Sequence, residues 1–401
     1  MDTRLIALWF TGLFGRGTRR AHELIEIFGS PAGVFSAGGE ALRRCGVLQE
    51  KEVRAVLAHD TREAELQYKA ALREGCRLLT PEDEEYPDRL RHIYSPPAVL
   101  FVRGSLTPLA GRLSVAVVGT RRPDEYGLAV TTQLAGALAA AGVVVVSGMA
   151  VGTDQAAHRA AIQAEGVTIG VLGCGLDLDY PRGSRPLREM AVQNGALISE
   201  YPIGSPAHPG HFPMRNRIIS GLADGVLVVR ADEYSGSLIT AGHALSQGRD
   251  VFAVPGRIDE ELSRGVNKLI QQGAKPVMDV GDILEEYTAR PEYRMSVQLS
   301  PEPVQLRPGS RPRRSVHPPS RQPDAPAVPQ EPAQGSARRQ IPDYLSPDQA
   351  ALLRLLGDTP ERPDRLALRL DRPVPAVLSM LTELEIYGLI ENHGPAGYTA
   401  R

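Results

Sequence analysis

The uncharged run LAGALAAAGVVVVSGMAV, residues 134–151, decides the fold. Its length approaches that of a bilayer-spanning segment, but its interior divides it. Residues 134–141 are rich in alanine and leucine and favour helix. Gly142 supplies a helix stop, and Val143–Val146 is a β-branched run that ends at Ser147 and Gly148. Helix, turn and buried strand account for every residue, so no membrane insertion is expected.

The same alternation extends outward from about 115 to 290. SVAVVG (114–119), VVVV (143–146), VTIGVLG (167–173), ALISE (196–200), GVLVV (225–229) and DVFAVPG (250–256) are short apolar runs, each followed by glycine or a polar turn and separated by alanine-rich helical segments. Continuous apolar strands of this kind predict an α/β domain with a doubly wound, Rossmann-like parallel sheet covered on both faces. In such sheets ligands bind outside the carboxyl ends of the strands.

On the amino-terminal side, helical periodicity (Ala21, Leu24, Ile25, Phe28) broken by the glycine turns FTGLFGRG and FGSPAGVF predicts a small all-α domain over 1–75. It resembles sterile-alpha-motif and helix-hairpin-helix modules. Two readings stand: a DNA-backbone contact through Arg16, Arg19 and Arg20, or a packed helical cap. The Rossmann-like domain is assigned 76–290. Residues 291–342 form a Pro-rich basic linker, with ten prolines among the 40 residues from 301 to 340 and too little apolar surface to offset ordering entropy. SPDQAALLRLLG, RPDRLALRL and PAVLSMLTELEIYGLI predict three helices, and LIENHGPAGYTA two strands about a turn, so 343–401 is read as a winged helix.

Composition narrows the function. The 401 residues carry 45 basic against 47 acidic side chains, which argues against a broad basic face that coats nucleic acid; any such site is local. Cys45, Cys76 and Cys174 make no CxxC pair and suit a reducing compartment, and the N-terminus lacks a secretory leader, so a cytoplasmic location is expected. GxxxxGK[ST] is absent and GVLGCG does not fit the dinucleotide fingerprint. His158, His208, His211 and His243 are not spaced as metal ligands, and no Ser, His, Asp constellation is legible. No metal, cofactor or catalytic residue is expected.

The segments after the strands are more informative. GTRRPDEYG brings Arg121 and Arg122, SGMAVGTDQAAH brings Gly148, GCGLDLDYPRGSRPL brings Arg182, Arg185 and Arg188, and RADEYSGSLITAGHAL opens a helix with Ser235, Gly236 and Ser237. Glycine and small hydroxyl residues at a helix start leave N–H groups free for a phosphate; each alone also reads as a tight turn with Asp154 or Ser235 as an ordinary cap. Together with the arginines they describe a concave basic pocket at one sheet edge.

GTRRPDEYG, SGMAVGTDQAAH, GVLGCGLDLDYP, ISEYPIG, FPMRNRIISGL, SGSLITAGHAL, GRDVFAVPG and GVNKLIQQGA, in this order over about residues 86–280, closely resemble the DNA processing protein A family, DprA or Smf. The resemblance implies a Rossmann-like domain that binds single-stranded DNA, forms a homodimer and loads the RecA recombinase during natural transformation. The family's G-[ST]-R turn falls on Gly119, Thr120 and Arg121, and the basic residue after its YP dipeptide is Arg182. FPxRNRII falls on Phe212, Arg215, Asn216 and Arg217, where Phe212 is expected to stack a base, Asn216 to hydrogen-bond one and an arginine to neutralise phosphate. Arg217 has an alternative: a salt bridge to Asp224 or Glu200. Arg230 departs from the pattern, since the family commonly has an acid there. Residues 265–278, with Val266, Leu269 and Ile270 at helical spacing, are the expected self-association segment. The enzymatic rival is a nucleotide phosphoribohydrolase-like Rossmann enzyme; SGSLITAGHA lacks the carboxylate its chemistry needs. A third reading is a protein scaffold that has lost DNA binding. The winged helix's presumptive recognition helix holds Glu383 and Glu385 and no Lys or Arg, which suits a protein contact module or a weak DNA contact.

Overall fold

The computed structural model describes residues 2–289 and, with gaps, 345–400. The Pro-rich segment 291–342 and most of the helix expected over 375–388 lie outside the described residues. The chain divides into two compact units, Met1–Val297 and Gln298–Arg401.

In the first unit the strands are β1 (Arg77–Leu79), β2 (Leu100–Gly104), β3 (Ser114–Val118), β4 (Val144–Ser147), β5 (Thr168–Leu172), β6 (Gly195–Ser199), β7 (Gly225–Val228), β8 (Asp250–Ala253) and β9 (Lys275–Pro276). They form one sheet in the order β1-β2-β6-β5-β4-β3-β7-β8-β9. From β6 to β9 every pairing is parallel, while β2 runs antiparallel to both β6 and β1. The six predicted strands all form, each starting within one residue of its predicted position; β1, β2 and β9 are additions. This is the Rossmann-like, mostly parallel sheet expected. Its order reverses between β3 and β7, which places the crevice of a doubly wound fold there.

The deciding run resolves as predicted. The helix Glu125–Ala140 ends at a turn in which Gly142 takes φ +82° and the Val143 amide donates back to the Leu138 carbonyl (3.0 Å), and β4 follows. Val144 and Val146 pack on one face of the sheet, Val143 and Val145 on the other. Burying each such side chain contributes about 1.5–3 kcal/mol, which is why the run carries no polar alternation. Among the described residues no helix is long and apolar enough to cross a membrane.

Helices α1 to α6 (Thr3–Phe14, Arg19–Phe28, Pro31–Ser36, Gly39–Arg44, Glu50–Leu57 and Arg62–Arg73) make up the amino-terminal region, and the short α7 is Asp88–Arg91. The core of α1–α6, with Trp9, Phe10 and Leu24, is continuous with Phe101 of β2, Leu172 of β5 and Leu197 of β6. Arg19 pairs with Glu23 and Arg20 with Glu52, and Arg16 is half-buried, its guanidinium close enough to Glu200 and Tyr201 to feel both. These pairings fit the packed-cap alternative. The sheet's helices are α8 (Glu125–Ala140), α9 (Thr153–Gln163), α10 (Arg185–Gln193), α11 (His211–Leu222), α12 (Gly236–Ser246), α13 (Glu261–Gln271) and α14 (Gly281–Leu284). α8, α9 and α14 cover one face; α11, α12 and α13 cover the other. Val266 and Leu269 of α13 belong to that second core, and Ile270 packs against it. Val266 and Leu269, two of the three residues expected at a dimer interface, are therefore turned inward onto the sheet, while Ile270 is half-buried.

In the second unit α15 (Pro347–Leu355), α16 (Pro363–Leu370) and the antiparallel hairpin β10 (Ile390–Asn392) and β11 (Tyr398–Ala400) surround Leu352, Leu366, Leu381 and Ile390.

Candidate nucleic-acid interface

The turn after β3 is held from both sides. The Thr120 amide donates to the Arg230 carbonyl (2.8 Å), and the Thr120 carbonyl accepts from the Thr153 hydroxyl (3.0 Å) at the start of α9. Gly119 faces Thr153 so closely that a Cβ would lie 2.7 Å from its hydroxyl. Gly152, at φ +87°, lies so close to the Arg121 carbonyl that a Cβ would stand 2.6 Å from it. The backbone is thereby clamped, and Arg121 and Arg122 project as exposed side chains.

After β4, Gly148 makes room for an arginine. A Cβ there would sit 2.6 Å from the Asp154 carboxylate and 2.7 Å from Arg215 Nη2. Arg215 is 4% exposed: Nη1 donates to the carbonyls of Gly148 (2.7 Å) and Val171. Burial pushes the Asp154 carboxyl above its ordinary range, and the Arg215 guanidinium pulls it back.

The loop after β5 is organised by Asp179, whose carboxylate accepts the amides of Gly183 (2.9 Å) and Arg185 (3.0 Å) and is held below its usual range by them. Tyr180, Arg182 and Arg185 are exposed. Arg188 is not: it turns inward onto the carbonyls of Leu176 and Leu178, which removes it from the predicted basic set.

Phe212, in the first turn of α11, joins these loops. Tyr180 stacks on it (centroids 5.6 Å, planes 25° apart), and the guanidinium carbons of Arg121 and Arg215 stand 5.3 and 5.9 Å from its centroid. Asn216 donates to the Gly236 carbonyl at the start of α12 (3.2 Å), where the Ser235 and Ser237 hydroxyls meet at 2.8 Å. Of the two alternatives for Arg217, the partner is Glu200, both of whose buried carboxylate oxygens accept from Nη2 at 2.8 and 2.9 Å; Asp224 pairs with Arg89 instead. Arg215 and Arg217 were both expected on a pocket wall. Their guanidiniums are internal, because each meets a buried acceptor set before it reaches solvent.

Arg121 and Arg215 thus both lie against Phe212, Arg215 reaching on to Gly148, and Asn216 with Gly236 forms an adjoining pair. Arg182 is tied to the cluster through Tyr180, its neighbour but one. Tyr180 and Asp179 were missed from the sequence; the signal was an aromatic residue in a glycine-flanked loop beside an arginine.

Arg230 fills the crevice between β3 and β7. It is 1% exposed and bonds Asp124, Glu260 (2.8 Å) and Ser263, with the Tyr126 ring 4.9 Å from its guanidinium carbon. Asp124 also caps α8 through the Gly127 amide (2.8 Å), so this pairing fixes the far end of the Arg121 turn. A cavity of about 440 Å³ lies at the opposite sheet edge, near Gly104, Glu165 and Gly195, away from every one of these arginines. Among the described residues no cluster of His, Cys, Asp and Glu could hold a metal ion.

The family described as DNA recombination-mediator protein A matches residues 77–288, and that described as DprA winged helix domain matches 322–394. The chain is 46% identical over 222 residues to the DNA processing protein DprA of Bacillus subtilis, covering 55% of this chain and 75% of that one. It is 39% identical over 322 residues to the protein Smf of Escherichia coli, covering 80% and 76%. Among solved structures, that of DNA processing protein A from Streptococcus pneumoniae superposes with a TM-score of 0.61 at 33% identity, covering 70% of this chain and 97% of that one.

Proposed function

Because this chain belongs to the DNA recombination-mediator protein A family, we propose that it binds single-stranded DNA, protects incoming strands and loads the RecA recombinase onto them during natural transformation. The observation that carries the DNA-binding part is local. Arg121 and Arg182 are exposed at the carboxyl edge of the sheet, with an aromatic pair between them and no carboxylate bonded to either among the described residues. In a chain of net charge −2, unpaired arginines beside π faces suit a flexible anionic strand with unstacked bases. Gly119, Thr120 and the Ser235–Ser237 helix start border the phosphate path in this reading, while Arg215, Asn216 and Arg217 set its shape from behind.

The same proposal makes the protein a cytoplasmic binding protein that works without a cofactor, and a homodimer. The phosphoribohydrolase-like alternative is not favoured: Asp124 and Glu260, the carboxylates at the crevice, are both engaged by Arg230, and Asp154 faces Arg215.

Titrating labelled oligo-dT and the matching duplex against increasing salt, with mononucleotide hydrolysis followed in parallel, tests the reading. Oligo-dT should bind more tightly than duplex and nucleotide should remain intact. Arg121→Ala should weaken binding and lower the slope of log affinity against log salt by about 0.7, the value for one single-strand phosphate contact. An Arg121→Ala protein with wild-type affinity and slope would remove this edge as the DNA site.

A further inference from the structure

Base stacking was expected of Phe212, yet Phe212 is hemmed in. Tyr180, Arg121 and Arg215 all lie against its ring, and Gly173 is so near that a Cβ there would stand 3.0 Å from its Cδ1. Tyr180 is the ring with free surface: it is 40% exposed, and its hydroxyl bonds none of the described residues, so the stack on Phe212 orients it. Its loop is pinned by the Asp179 carboxylate, and Arg182 follows after one proline.

We propose that Tyr180 is the outer rung of an Arg121–Phe212–Tyr180 ladder and that a base of single-stranded DNA stacks on its outward face, with the neighbouring phosphate at Arg182. The inference rests on the single-strand reading above and names a residue for it. Every base offers a π face, so such a rung tolerates any sequence. A ring already stacked and carried on a braced loop loses little freedom when the base arrives, which is how preorganisation raises affinity without adding contacts. The competing role is a cover over Phe212, which would matter for stability and loop position but not for bases as such.

The test uses the full-length wild-type protein first. Irradiated with an oligonucleotide carrying 5-iododeoxyuridine, it should cross-link at Tyr180, mapped by mass spectrometry. Tyr180→Leu should then lower oligo-dT affinity about ten-fold, within the range for one base–aromatic stack, while Tyr180→Phe stays within about two-fold of wild type because the ring is kept. The salt slope should not change, since stacking releases no counterions. An abasic oligonucleotide of the same length should not discriminate wild type from Tyr180→Leu. Cross-links confined to other residues, or an equal loss on abasic and oligo-dT strands, would overturn the assignment and leave Tyr180 as a cover. Wild-type protein that fails to bind oligo-dT would bring down the single-strand reading itself, whereas tight wild-type binding with a neutral Tyr180→Leu would bring down this inference alone.

Discussion

Arg215 and Arg217 are two positions apart on α11, which sets their side chains about 200° apart around the helix. They cannot share one wall. Arg215 passes the missing side chain of Gly148 to reach two carbonyls, and Arg217 meets Glu200. The sequence RNR showed three hydrogen-bonding side chains but not their partners, because Gly148 and Glu200 are remote in the chain and come near only through the fold. Breaking a buried ion pair leaves a charge without compensation, so Arg217→Ala should destabilise the protein by about 3–5 kcal/mol, read by urea denaturation; a loss below about 1 kcal/mol would show Glu200 to be well solvated. His158 makes a pH prediction. It is fully buried on α9 with Nδ1 2.7 Å from the Thr168 hydroxyl, and desolvation pushes its pKa down to about 3. The folded chain therefore resists a proton that the unfolded chain takes up near its ordinary value of about 6.5. Stability from this group is present above that value and is lost as pH falls toward 3, at up to about 1.4 kcal/mol per pH unit. Between pH 7 and 5, His158→Gln should show a shallower loss of stability than wild type, and parallel curves would contradict the assignment.

Strands buried on both faces announce themselves, because each residue must be apolar whichever side it faces; hence β3 to β8 were legible as runs. β1 and β9 have three and two residues, too few for any period, and LFVRG of β2 is an antiparallel addition that no βαβ alternation points to. Helix α13 shows the converse limit. Its apolar stripe was legible, but a stripe reports only that something covers it, and here the cover is the chain's own sheet. Leu269, at 8% exposure within that core, should behave as a core residue: Leu269→Ala should cost about 2–4 kcal/mol in urea denaturation. A folded, undestabilised Leu269→Asp protein with altered sedimentation would return the residue to an interface.

For the whole molecule the question is which part meets DNA. Net charge offers no general attraction, with 45 basic residues against 47 acidic, so affinity must come from a few focused contacts. Two regions compete: the edge carrying Arg121 and Arg182, within the compact unit Met1–Val297, and the arginine-bearing segment with Arg307, Arg311, Arg313, Arg314, Arg321, Arg338 and Arg339. The winged-helix region is the weaker third candidate, since PAVLSMLTELEIYG has two glutamates and no basic residue to neutralise phosphate. Deleting residues 343–401 should therefore leave most oligo-dT affinity in place, with three to four phosphates still neutralised and a salt slope of about −2 to −3. A ten-fold loss, about 1.4 kcal/mol, would assign DNA contacts to the winged helix. A retained affinity and slope that Arg121→Ala does not touch would remove the pocket edge as the site and make the arginine-bearing segment the better candidate.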